Sequence, residues 1–359
     1  MRIAIAKPRR GAGGGTTMAL ALAEGLRSRG HDVTILCHPR ARIDRLARAR
    51  GFEVDAVLAG RDLRALSRLR SWIALRRRHP DVVLNFMAEP TDMDFCVPSA
   101  LRLEMPVVAR RALAGPLQLS AAQRRLFAAV GWVAVSRAIA RELRDAVPGL
   151  RTPPTIIYNG TDIDHFAGAE PAALGLPPDA IAIGFIGRLH REKGIRELAV
   201  AWPAIAAALP RAHLVIVGEG PHEAEFRALL GRAPRVRWLG FRHDVAPILR
   251  ALDLLALPTH REGFPNIIVE ALAAGRAIVT TTVDGPNEAV RDTVTGRLVP
   301  PADSAALRDA VIALAGDAEL RARLGRAAAQ DARVRFDRAR MIAAYEDVLV
   351  GAAAQQARA

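Results

Sequence analysis

Cysteine is scarce: Cys37 and Cys96 are the only two in 359 residues. Two thiols cannot make a disulfide framework, so a reducing, cytoplasmic setting is expected. The nine histidines show no metal-ligand spacing, and no Ser-His or Asp-His constellation stands out. No apolar run is long enough to span a bilayer. No signal pattern is expected at the N-terminus, because a charged, glycine-rich stretch follows the first apolar run at once. Aromatic residues make up only 4% of the chain, and no helix-turn-helix, RRM or zinc pattern occurs. A net charge of +14 could serve a nucleic-acid binder whose arginines neutralise phosphates. The missing motifs argue against nucleic acid as a partner. Lysine is the rarest cation: of 51 Lys plus Arg residues only Lys7 and Lys193 are lysine. Arginine stands wherever a generic positive charge will do, so these two mark candidate places where a compact ammonium fits better than a guanidinium. The plain alternative is that two lysines survive by chance.

What is present centres on Arg261 to Ala274, REGFPNIIVEALAA, where Glu262 and Glu270 bracket a Gly263-Phe264-Pro265-Asn266 turn. Pro265 suits the first turn of a helix and Asn266 is a good capping residue. Apolar residues at Ile267, Ile268, Ala271, Leu272 and Ala274 then follow a helical period. The N–H groups of that first turn form a ready anion site. Carboxylates on either side of it can accept hydrogen bonds from sugar hydroxyls. The plainer reading is a capped amphipathic helix with an ordinary acidic residue near its start.

Upstream, AIAIGFIGRLHREKGIRELAVAW carries Arg188 and Lys193 in a turn between an apolar run and a helix. Strand and helix patterns alternate throughout, which predicts parallel sheets covered on both faces by helices. Ligands of such sheets bind beyond the carboxyl ends of the strands, where Arg188, Lys193 and the Glu262 loop fall. Near the N-terminus, RIAIA reads as a strand, KPRRGAGGGTT as a loop and Met18 to Arg29 as a helix. That loop lacks the last glycine of a dinucleotide fingerprint and the Lys-Ser/Thr of a P-loop, so a nicotinamide or ATP reading is poor.

Taken together, IIYNGTDIDHF, GRLHREKG, WLGFRHDV, EGFPNIIVEALAAGRAIV and TGRLVPPAD, in this order, resemble the retaining glycosyltransferases of family 4. The resemblance covers nearly the whole chain. It implies the GT-B fold, two Rossmann-like doubly wound α/β domains facing a cleft, with a C-terminal helix crossing back to the N-terminal domain. It further implies that Arg188 and Lys193 pair with the diphosphate of a nucleotide-sugar, UDP-sugar first, and stabilise the leaving group. Glu262 would orient the sugar, the backbone from Gly263 through Phe264, Pro265 and Asn266 to Ile267 would support sugar and phosphate, and Glu270 would hold the ribose. Gly14 and Gly15 would let the backbone approach the donor phosphate and the acceptor. Lys7 is a candidate for shaping that turn. Trp238 to Asp244 lies where the family places part of its base pocket. No metal or other cofactor is implied, and no protein base is needed, because the departing phosphate accepts the incoming hydroxyl's proton. His260 reads as a pocket-wall residue.

The pattern departs from the family after Pro106 to Arg110. Many relatives place a histidine there; in this chain either Arg110 or Arg111 substitutes for it, or the branch works without it. Glu89, Asp92 and Asp94 are candidates for the acceptor hydroxyl. The expected domains are 1–168 for the acceptor, 175–338 for the nucleotide-sugar and 339–359 for the returning helix, with the break in the Ala-, Gly- and Pro-rich 166–178 stretch. Residues 1–165 hold 27 Lys plus Arg against 15 Asp plus Glu, a net +12 of the total +14. Within them, Asp62 to Arg78 interleaves Leu63, Leu66, Leu69, Trp72, Ile73 and Leu75 with arginines. That segment predicts either an ordinary surface helix or one that rests on an anionic membrane, Trp72 reaching the interface. A cell-envelope glycan or lipid-linked acceptor, with peripheral docking on the inner leaflet, is the expectation. The enzymatic rival is a nucleotide-sugar epimerase of the same fold, which would bind the donor and need no acceptor.

Overall fold

In a computed structural model, residues 1–9, 14–57, 64–231 and 233–356 are described, without the side chain of Arg64. They form two units, Met1–Tyr158 with Ala339–Ala359, and Asn159–Arg338. The first holds β1 (Arg2–Lys7), β2 (Asp32–Cys37), β3 (Glu53–Ala56), β4 (Val82–Met87), β5 (Val107–Arg111), β6 (Gly131–Ala134) and β7 (Thr155–Ile156). Its sheet runs β3-β2-β1-β4-β5-β6-β7, all parallel. The second holds β8 (Ile181–Ile186), β9 (Ala212–Val217), β10 (Val236–Gly240), β11 (Leu254–Leu257), β12 (Ala277–Thr281) and β13 (Arg297–Val299). Its order is β10-β9-β8-β11-β12-β13, again parallel. Strands covered on both faces must be apolar throughout, and all six residues of β4 are buried. In each sheet the strand order reverses beside the first strand, at β1/β4 and at β8/β11, which opens a crevice at the carboxyl ends.

The first unit is completed by the helix Arg338–Gln356, close to the 339–359 expected for the returning helix. Met341, Ile342, Tyr345 and Leu349 join the core formed by Ile3, Ile5, Ile35 and the helix Gly14–Ser28. Ile342 fills the notch left by Gly25, where a Cβ would lie 2.1 Å from its Cδ1.

The division between the units falls at Tyr158/Asn159, not in the 166–178 stretch. The helix Ile163–Gly168 packs on Asn266–Ala273 and Ala246–Ala251, and the Ala172 amide donates to Pro247 O at 2.9 Å. The stretch is an irregular loop laid on the second unit rather than a border.

The helix Arg64–Arg78 is packed against the grain of its composition. It buries Ser67, Ser71, Ala74 and Leu75 and leaves Leu66, Leu69 and Ile73 exposed at 37%, 55% and 51%. The inward serines are satisfied by the Phe95 carbonyl, to which Ser71 Oγ donates at 2.6 Å. Trp72, which the membrane alternative would place at the interface, is half-buried with the Arg76 guanidinium 5.0 Å from its ring centroid. Arg61, Asp62 and Leu63 lie outside the described residues.

Candidate functional site

At the β8/β11 reversal two loops leave adjacent strands and are tied together. The first runs from Gly187 through Arg188 and the short turn Arg191–Lys193 to Gly194, which opens the helix Ile195–Ala208. The second runs from Pro258 to Pro265 and opens the helix Asn266–Ala273. The Glu192 carbonyl accepts from Thr259 Oγ1 at 2.9 Å and from the His260 amide at 2.8 Å. The Arg261 guanidinium lies 2.5 Å from the Glu192 carboxylate, and Lys193 Nζ pairs with Glu262 Oε1. Their side chains are 25% and 13% exposed, so the pair is sheltered but reachable. Arg188, on the same loop as Lys193, is exposed. His260 lies with its Nε2 3.0 Å from Glu197 Oε2, on the wall of this loop cluster.

Gly194 has φ of +68°, and a Cβ there would stand 1.7 Å from Pro258 O. Only glycine lets the two loops close to this separation. The neighbouring loops add backbone. Leu189 N donates to Glu219 O, after β9, at 3.0 Å, and Thr281 Oγ1, at the end of β12, donates to Thr259 O at 2.5 Å. Gly285, φ +87°, lies against the Gly263 carbonyl, 2.7 Å from where its Cβ would be.

The Gly263-Phe264-Pro265 turn is buried, and Asn266 and Ile267 are half-buried. One expectation is corrected here. Pro265, with φ −77° and ψ 119°, is itself the N-cap, and no side chain caps the helix. Asn266 is already helical and its Oδ1 accepts from Asn159 Nδ2 at 2.8 Å; the same Nδ2 donates to Phe264 O at 3.2 Å. Asn159 was not among the expected site residues, because nothing local to its sequence shows what it reaches.

Glu270 is half-buried near His165 and Asp244, which stand 3.2 Å apart. Burial, then the Asp244 charge, push its carboxyl up to about 7, with His165 opposing. A raised acid favours the proton-bound fold. Stability from this group is therefore full below the ordinary value of 4.5 and is lost as pH rises to about 7. Glu270→Gln is expected to leave stability near wild type at pH 5 and to exceed it at pH 8.5, by up to ~3 kcal/mol before discounting for solvent. Urea midpoints at the two pH values check this; equal differences at both would refute it.

Near the β10 end, the Trp238 ring is covered by the Arg227 guanidinium at 4.3 Å. The exposed part of that segment is Phe241 to Asp244, with Phe241 edge-on to His243 at 4.9 Å.

In the first unit, Gly14 and Gly15 are the first residues of the helix Gly14–Ser28 rather than part of the loop, whose Gly11, Ala12 and Gly13 lie outside the described residues. A Cβ on Gly15 would lie 3.4 Å from Lys7 Cε, so the buried Lys7 lies against the start of this helix. Burial lowers the Lys7 pKa, against the pull of Asp92. Asp92 is committed to structure: it accepts from the Ala88 and Glu89 amides, each at 2.8 Å, and pairs with Arg9 at 3.0 Å. Asp94 lies 3.5 Å from Arg68, and Glu89 stays half-exposed 4.0 Å from Arg9. Arg110 and Arg111 are both buried and held by protein groups. Arg110 Nε donates to Tyr345 Oη at 2.9 Å; Arg111 pairs with Glu142 at 3.0 Å and donates to Gly115 O at 2.5 Å. Among the described residues, no group of three or more His, Cys, Asp or Glu is arranged to hold a metal ion.

Paired cations and carboxylates thus stand at the reversal of a doubly wound sheet, the place where ligands of such sheets bind. Residues 12–165 match the family described as Glycosyltransferase Family 4, and residues 180–317 that described as Glycosyl transferases group 1. The phosphatidyl-myo-inositol mannosyltransferase of Mycobacterium tuberculosis (strain ATCC 25618 / H37Rv) is 32% identical over 334 residues, 87% of this chain and 86% of that one. LpsE of Rhizobium meliloti, a lipopolysaccharide core biosynthesis glycosyltransferase, is 29% identical over 197 residues, 54% and 57% of the two chains. Among solved structures, Anabaena HepE in complex with UDP and glucose is similar with a TM-score of 0.81 and 22% identity, covering 98% of this chain and all 100% of that one. The chain belongs to the family 4, group 1 glycosyltransferases, and its two parallel sheets are those of the GT-B fold.

Proposed function

We propose that this glycosyltransferase moves a hexose, with retention of anomeric configuration, from a nucleotide-sugar to a hydroxyl of a cell-envelope glycan or glycolipid at the cytoplasmic face of the membrane. The observation that carries the reading is the Lys193–Glu262 pair at the β8/β11 reversal, with the exposed Arg188 on the same loop as Lys193. An ammonium for the diphosphate and a carboxylate for the sugar hydroxyls are held side by side. As the bond from the sugar to phosphate oxygen breaks, the acceptor oxygen bonds to the same face and passes its proton to the departing phosphate. Arg188, Lys193 and the N–H groups at the start of the helix Asn266–Ala273 balance the charge that develops there, in the place a metal ion takes in other transferases.

UDP is the first choice of nucleotide, supported by HepE, whose structures hold UDP and UDP-glucose. A lipid-linked acceptor is supported by the names of the mannosyltransferase and LpsE relatives. It is also supported by the exposed Leu66, Leu69 and Ile73, which share the surface of the helix Arg64–Arg78 with exposed Arg68, Arg70, Arg76 and Arg77. An apolar strip flanked by guanidinium groups suits an anionic bilayer. No helix among the described residues is long and apolar enough to cross a membrane.

Calorimetry with UDP, GDP, ADP and UDP-glucose, without metal, tests the donor; binding of none by folded protein would sink the reading. In the same preparation, sedimentation with phosphatidylglycerol vesicles should exceed that with phosphatidylcholine vesicles, and should fall in Leu66→Ser/Leu69→Ser/Ile73→Ser. Equal sedimentation with both would remove the membrane from it.

A further inference from the structure

The turn that presents Glu262 has little to hold it from within. Pro265 has no N–H, no side chain caps the helix it opens, and Ile268 N turns back to Pro265 O at 3.2 Å in a tight first turn. Two residues from elsewhere in the second unit close on it. Asn159, 6% exposed, places its amide against Phe264 O and Asn266 Oδ1. A carbonyl can only accept, so the atom facing Phe264 O must be the Asn159 nitrogen, and this fixes which way both amides point. Phe336, 1% exposed, packs its ring against Phe264 at a 60° tilt, with centroids 5.6 Å apart.

Both residues sit where the chain passes from one unit to the other. Asn159 is the first residue of the second unit, and Phe336 stands two positions before its last, Arg338. The two passages are bonded to each other: Thr161 N donates to Phe336 O at 2.8 Å, and Arg338 N donates to Thr161 O at 2.9 Å.

We infer that Asn159 is a positioning residue for the donor turn, Glu262 to Ile267, latching it to the paired chain passages. The role rests on the donor-site reading above only for its effect on transfer. The latch itself is a property of the turn. Losing a buried hydrogen bond of this kind is worth about tenfold in the opening equilibrium.

Asn159→Asp keeps the shape but sets an acceptor against the Phe264 carbonyl. Asn266→Ala removes one of the two bonds and leaves the other. Hydrogen exchange of the amides of Gly263, Phe264, Asn266 and Ile267 should speed up about tenfold or more in Asn159→Asp and less in Asn266→Ala, with the amides of β8, β9 and β12 unchanged. With UDP-glucose as donor, kcat should drop about tenfold while UDP affinity stays within about threefold. Unchanged exchange at the turn would overturn the latch, as would equal acceleration across the whole unit, which marks general loosening. If Asn159→Asp does not fold, Asn266→Ala decides by the same criterion. Failure of the wild type to bind UDP, with exchange at the turn still raised, would remove the donor reading and leave the latch standing.

Discussion

Replacing Glu262 by alanine is expected to lower kcat by about a thousandfold, since a carboxylate that orients the sugar acts where the charge develops. UDP affinity should move by less than about threefold. Lys193→Ala is expected to weaken both, because in the proposed role it removes a cation from the diphosphate, and it leaves Glu262 without its ion-pair partner. Arg188→Ala should resemble Lys193→Ala, without disturbing Glu262. The double variant Lys193→Ala/Glu262→Ala should cost far less than the product of the two single losses, as expected of groups that act as a unit. Steady-state kinetics and UDP calorimetry on the four proteins check this. Normal turnover in the single variants would refute the assignment, and strict additivity would refute the coupling.

Gly194→Ala is expected to be the most damaging small change in the second unit. Two costs combine: a left-handed backbone at φ +68°, and a Cβ placed 1.7 Å from the Pro258 carbonyl. Gly240 separates them, because its φ is also +68° but nothing lies within 4 Å of its would-be Cβ. Gly240→Ala should cost about 1 kcal/mol, the backbone term alone. Gly194→Ala should cost about 3 kcal/mol or more, or yield by pushing the Pro258 loop away and parting Lys193 from Glu262. Urea midpoints of the two variants test the difference. Equal costs would mean the loops are looser than drawn.

The sheets were legible because strands buried on both faces appear as apolar runs such as VVLNFM, and helical periods alternate with them. The end-of-strand placement of Arg188, Lys193 and Glu262 followed from the same pattern. What sequence could not show was pairing at a distance. Lys193 and Glu262 are 69 positions apart, and Asn159 and Asn266 are 107 apart. Local propensity also misled where a distant partner outbid it. Asn266 looks like a cap, but its side chain is taken by Asn159, and Pro265 occupies the capping position instead. The helix Arg64–Arg78 was legible as amphipathic, yet its serines face inward because the Phe95 carbonyl receives them. Composition likewise suggested a boundary in the 166–178 stretch, where the Ala172–Pro247 hydrogen bond shows a loop folded onto its own unit.

The helix Arg338–Gln356 gives the chain an unusual birth order. Every strand of the second unit leaves the ribosome before the segment that completes the first, so the half that carries Glu262 can close while its elder sibling is still unfinished. Until that last segment arrives, the core that holds Leu22 and Leu26 lacks Met341, Tyr345 and Leu349, and Arg110 lacks the Tyr345 hydroxyl that its Nε donates to. A nonsense codon after Arg338 would thus spare the unit nearest to it and cripple the one translated first, leaving a sticky nascent product for chaperones and proteases to find.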